Sequence, residues 1–83
     1  MKVQFMESFL IDLDAVTHVT VKKQIIELID ELELSRDLRD HAHFRELPGE
    51  GFYRLKIGDY RLGCQLENDV LIFSRIVHKK FIS

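Results

Sequence analysis

The sequence predicts an α+β fold of order β-α-α-β-β-β, in which an N-terminal strand and a helical hairpin pack on a small antiparallel sheet. Two patterns carry that expectation. Residues 52–64, FYRLKIGDYRLGC, alternate apolar and polar side chains on either side of Gly58-Asp59, as a two-residue hairpin does. Residues 21–34, VKKQIIELIDELEL, set Val21, Ile25, Leu28, Ile29 and Leu32 on one stripe at helical spacing. The composition agrees: with 46% hydrophobic and 31% charged residues, one Pro and four Gly, the 83 residues suit one small folded domain, 1–83, without a disordered tract.

Taken in order, Lys2 to Phe5 alternates Val3 and Phe5 with Lys2 and Gln4, the pattern of an edge strand. Ser8 is placed to cap a short helix with Phe9, Leu13 and Val16 inward and Asp12 and Asp14 outward. The pattern breaks around His18, and Thr20 is placed to cap the second, longer helix. Residues 35–51 read as an irregular connector ending in the turn signal Pro48-Gly49-Glu50-Gly51. Within it His41 and His43 form an H-x-H pair. No Cys or acidic residue stands at ligand spacing, so solvated loop histidines are the better reading and no metal or other cofactor is expected.

A Gly at the first central position suits a type II′ turn, which fixes the hairpin register. Ile57 then faces Tyr60, Lys56 faces Arg61, Leu55 faces Leu62, Arg54 faces Gly63 and Tyr53 faces Cys64. One face carries Tyr53, Leu55, Ile57, Tyr60, Leu62 and Cys64; the other carries Arg54, Lys56 and Arg61. Lys56 across from Arg61 is a like-charge pair, which costs sheet stability. Such a face is either a solvated surface or a prebuilt site for anions, phosphates above all. Two cations set opposite each other with no acid between them favour the second.

The last strand, VLIFSRIVH, has two open registers. A two-residue turn at Asn68-Asp69 puts Arg75 on the apolar face with Leu71, Phe73 and Val77. A three-residue turn puts Val70, Ile72, Ser74 and Ile76 inward and Arg75 opposite Arg61. The cost of burying an unpaired Arg favours the latter, and leaves Leu71, Phe73 and Val77 as an apolar patch for a partner to cover.

Charge is unevenly divided. Residues 1–50 hold six Lys/Arg against eleven Asp/Glu, and residues 51–83 hold six against three. Any polyanion binding is therefore expected to be local to the strands and salt-sensitive. No apolar run approaches a membrane span. Cys64, alone and on the apolar face, reads as a buried structural thiol, and a reducing cytoplasm is the expected location.

The order of elements, Leu47-Pro48-Gly49, the phrase FYRLKIGDYRLGCQL and the ending IVHKK resemble the RelE/ParE superfamily of type II toxins over nearly the whole chain. The resemblance implies either a ribosome-dependent mRNA endonuclease, as on the RelE side, or a gyrase poison, as on the ParE side, each neutralised by a small antitoxin. It maps the family's basic strand positions onto Arg54 and Lys56, the arginine after the turn onto Arg61, and the closing basic residues onto Lys79 and Lys80, with His78 just before them. The family's near-terminal tyrosine, implicated in RNA cleavage in RelE itself, would fall at Ser83.

Cleaving RNA through its own 2′-OH needs an acceptor for that proton, cations around the strained phosphate and a donor for the leaving 5′-oxygen. Arg54 and Arg61 suit the phosphate, since guanidinium matches it bidentately. Lys56, crowded by Arg61, suits the base. His78 is either the proton donor or a strand-end histidine facing solvent, and Arg75, Lys79 and Lys80 are further RNA-binding candidates. The expectation is an mRNA interferase with ribosome, mRNA and antitoxin as partners, the alternatives being a gyrase inhibitor or an attenuated toxin fold.

Overall fold

The computed structural model describes residues 1–40 and 44–82; His41, Ala42, His43 and Ser83 lie outside the described residues. Lys2–Phe5 (β1), Glu7–Ala15 (α1), Val19–Leu34 (α2), Phe44–Glu46 (β2), Phe52–Ile57 (β3), Tyr60–Glu67 (β4) and Val70–His78 (β5) follow one another, with 3-10 turns at Leu38–Asp40 and Lys79–Phe81. The strands form one sheet in the order β1-β5-β4-β3-β2. The α+β class stands, but the sheet is mixed: β1 runs parallel to β5, Val3 beside Leu71 and Phe5 beside Phe73. The two helices fall within the long excursion that a parallel pairing requires. The connector also holds a strand. β2 pairs antiparallel with β3 through Phe44–Leu55, Arg45–Arg54 and Glu46–Tyr53.

The β3–β4 hairpin has the register that its turn dictates, from Ile57–Tyr60 and Lys56–Arg61 to Tyr53–Cys64. Gly58 sits at φ 53°, where a side chain would be strained. The β4–β5 turn settles the other register. It is a two-residue turn with both residues at positive φ, Asn68 at 50° and Asp69 at 65°, the backbone that short polar side chains tolerate best after Gly.

Leu71 therefore faces Leu66, and Phe73 faces Cys64, so both point into the core rather than forming an open patch. A bulge then intervenes: β4 steps from Cys64 to Gly63 while β5 steps from Phe73 to Arg75. One extra residue reverses the alternation. Ile76 comes inward opposite Leu62, and Arg75 leaves the core opposite Gly63, not Arg61. The cost of burying Arg75 is met by the bulge at Ser74 rather than by a longer turn. Val70 and Ile72, expected inward, pair with Glu67 and Gln65 on the outer face, and Val77 stands there across from Arg61.

Both helices cover the inner face. Phe9 and Val16 from the α1 segment, Ile25, Ile29 and Leu32 from α2, and Leu55, Leu62, Cys64, Leu71, Phe73 and Ile76 from the sheet make one buried cluster, joined by Leu38. Phe9 lies against Phe5 and Phe73, with ring centroids 5.6 and 5.2 Å away. The caps differ from expectation. His18, not Thr20, caps α2, its Nδ1 accepting from Val21 N–H at 3.4 Å. α1 begins at Glu7 without a side-chain cap, because Ser8 Oγ donates to Ser74 C=O at 2.7 Å and thereby fastens α1 to the bulge. Asp12, expected to face out, is largely covered. No helix among the described residues is long and apolar enough to cross a membrane.

Candidate functional site

The outer face of the sheet is built in rows. Arg45 of β2 lies across from Arg54 of β3, which lies across from Gly63 of β4. Two residues along, Lys56 lies across from Arg61, and Arg61 from Val77. An open depression of about 220 Å³ is lined by Phe44, Arg45, Arg54, Lys56 and Arg61, four cations and no acid. Two consecutive like-charge pairs cost the sheet stability that opposite charges would supply. Such a face is stabilised when an anion sits on it. Arg61 is partly committed: its Nη1 donates to Gly58 C=O at 2.9 Å and to Tyr60 C=O at 3.0 Å, which holds the guanidinium at the turn.

The remaining candidates divide into two groups. Arg75 is held by Asp12, Nε to Oδ2 at 2.7 Å, and is not part of the four-cation depression. His78 pairs with Tyr60, whose ring it meets edge-on at 5.2 Å, so it belongs to the opposite sheet face from Lys56 and Arg61, at the same end of the sheet. It lines a second depression with Asp12, Val16, Tyr60, Arg75 and Phe81.

The His78 ring is oriented. Its Nδ1 accepts from Lys80 N–H at 3.2 Å, so the proton of the neutral ring sits on Nε2. That nitrogen is 4.0 Å from Asp59 Oδ2. The other Asp59 oxygen pairs with Lys79 Nζ at 3.2 Å, and this hydrogen bond holds the Asp59 carboxyl below its ordinary range. Lys79 N–H also donates to Asp59 C=O at 2.7 Å. The two-residue turn is thus the common anchor: Arg61 grips it at Gly58, and the His78-Lys79 corner grips it at Asp59. Lys80 is exposed, its Nζ 5.2 Å from the Phe81 ring centroid.

Arg45 is the residue that sequence reasoning missed. Its signal is the triplet Phe44-Arg45-Glu46, an alternation too short to stand out inside a connector. The H-x-H pair and Ser83 lie outside the described residues. Among the described residues no group of three or more His, Cys, Asp or Glu is placed to hold a metal. Burial pushes the Cys64 thiol up to about 12, which makes it a packing group.

The chain is similar to known proteins over nearly its whole length. Residues 3–82 match the model of the ParE toxin of type II toxin–antitoxin systems, parDE. Toxin RelE3 of Methanocaldococcus jannaschii is 35% identical over 86 residues, covering 99% of this chain and 94% of that protein. Among solved structures, the RelB–RelE antitoxin–toxin complex from Methanococcus jannaschii matches with a TM-score of 0.83 and 30% identity, over 95% of this chain and 93% of that one. The archaeal RelE–RelB complex from Pyrococcus horikoshii shares the fold, with a TM-score of 0.77 and 20% identity over 94% and 93% of the two chains. The chain therefore belongs to the ParE toxin family, within the RelE/ParE superfamily of type II toxins.

Proposed function

We propose that this toxin is a ribosome-dependent endoribonuclease that cleaves mRNA, stops translation and is neutralised by a cognate antitoxin. The observation that carries the reading is the depression where Arg54, Lys56 and Arg61 converge with no acid among its lining residues. Arg61 holds the scissile phosphate and stabilises its developing charge, and Arg54 binds the RNA backbone beside it. Lys56 takes the 2′-hydroxyl proton. His78 stands on the opposite sheet face, so this reading gives the leaving 5′-oxygen no donor from the turn end of the sheet. Lys79 and Lys80 flank the same end.

These groups make an incomplete catalyst for free RNA. A ribosome supplies what is lacking by holding mRNA bent, with the 2′-OH in line with the phosphate; positioning of this kind is worth up to roughly 7–11 kcal/mol. Action on translating ribosomes places the protein in the cytoplasm. The likeness to the Methanococcus jannaschii complex supports an antitoxin as the standing partner. Primer extension on one mRNA with and without translation tests the reading: cuts only during translation are expected. Equal cutting in both would make it an autonomous nuclease. Intact mRNA with gyrase-linked DNA breaks would assign gyrase as the target.

A further inference from the structure

The cations of the outer face are arranged by the sheet as two separate pairs. Arg45 and Arg54 form one cross-strand row; Lys56 and Arg61 form the next. Along β3 the rows are two residues apart, which is about 7 Å of strand rise. That is the order of the spacing between successive phosphates along a single polynucleotide strand. The rows also differ in position: Lys56 and Arg61 adjoin the Gly58-Asp59 turn, where His78 and Lys79 gather, and Arg45 and Arg54 lie one step further from it. Among the described residues the side chains of Arg45, Arg54 and Lys56 form no hydrogen bond or ion pair. Across from Arg54 stands Gly63, which adds no side chain to its row.

We propose that the outer face is a two-phosphate register for a single strand, in which the Lys56–Arg61 row takes the reacting linkage and the Arg45–Arg54 row holds the neighbouring phosphate. Arg45 is then a binding residue that sets which linkage is presented to the turn end. The proposal rests on the ribonuclease reading for the word reacting; the two-row site itself requires only a polynucleotide backbone. A duplex fits poorly, because one sheet face with two rows meets one backbone, not two grooves. An isolated phosphate leaves one like-charge row uncompensated.

The test uses adenosine 3′,5′-bisphosphate against adenosine 3′- and 5′-monophosphates, titrated into ¹⁵N-labelled protein at fixed ionic strength. The bisphosphate is expected to bind about tenfold more tightly than either monophosphate, as one added charge-assisted contact gives, with amide shifts on β2, β3 and β4. Arg45→Gln is expected to erase that advantage, its amide spectrum confirming that the edge strand is intact. Equal affinities in the wild type overturn the proposal, as does an advantage that survives Arg45→Gln or shifts confined to Lys79 and Lys80. Because no ribosome enters this measurement, a protein that shows the bisphosphate advantage yet cuts no mRNA on ribosomes keeps the two-row site and loses the nuclease reading.

Discussion

Asp12 closes the stretch of β5 that β1 leaves open: its Oδ2 accepts from Arg75 Nε at 2.7 Å and from Ile76 N–H at 2.8 Å. One carboxylate from α1 thus satisfies an edge amide next to the bulge and neutralises the arginine that the bulge turns outward. Asp12→Ala removes both contacts and is expected to cost roughly 1–3 kcal/mol in urea unfolding.

The same residue predicts an acid response. Burial works against the Asp12 charge, but the hydrogen bonds from Arg75 and the Ile76 amide outweigh it and hold the carboxyl below its ordinary range. A carboxyl that is more acidic folded than unfolded contributes stability fully above its unfolded value and loses it as pH falls through the folded one. Stability of the wild type should therefore fall below about pH 4 more steeply than that of Asp12→Asn. Parallel curves from thermal melts between pH 2 and 6 would refute this.

Arg61→Ala should end growth inhibition without unfolding the protein. Loss of the two carbonyl contacts at the turn is offset by relief of the repulsion with Lys56, so stability should change by no more than about 0.5 kcal/mol. An induced-expression growth assay paired with circular dichroism decides it; a folded variant that remains toxic removes Arg61 from the site.

Glycine positions should separate by what surrounds them. At Gly51, φ 77°, an added Cβ would stand 2.5 Å from the Leu66 carbonyl oxygen, a backbone atom that cannot give way. Gly51→Ala is expected to cost about 2–4 kcal/mol. At Gly58, φ 53°, a Cβ meets nothing within 4 Å, so Gly58→Ala bears only the backbone strain, about 1–2 kcal/mol. Chemical denaturation of the two variants should rank them in that order.

Cys64 should resist thiol reagents in the native protein at pH 8 and react within the dead time once unfolded, since its thiol is buried and pushed up to about 12. Rapid native labelling would mean that the core around Phe73 and Leu62 opens readily.

How far the chain could be read from its residues depended on the range of the interactions. The β3–β4 register, and with it the shared face of Arg54, Lys56 and Arg61, follows from Gly58 and local alternation, and the structure has it residue for residue. The stripe of Ile25, Ile29 and Leu32 is equally local and is buried. What escaped was set by distant partners. β1 is parallel because it meets β5 some 68 residues on, as Lys2 beside Val70 shows. The bulge at Ser74 follows from Asp12 waiting for Arg75, and from Ser8 on the Ser74 carbonyl. The two-residue turn at Asn68-Asp69 took Leu71 and Phe73 from a partner surface to the core, and the bulge took Arg75 from the cationic face to an ion pair. Arg45 escaped for a related reason, since three residues become a strand only when Arg54 and Leu55 are there to pair with them.

The parallel pairing of β1 with β5 also bears on when the toxin comes into being. The β3–β4 hairpin forms from neighbours and needs little of the chain. Val3 has no partner until Leu71 has been synthesised, and α1 has no Ser74 or Ile76 to bind until residues beyond 70 leave the exit tunnel. Contacts of such separation form late. The cationic rows can therefore exist as a loose ribbon while the polypeptide is still being made, but the rigid sheet that fixes them waits for the last strand. The cationic face is thus set only once the last strand has emerged, and that delay gives an antitoxin time to be present when the fold closes.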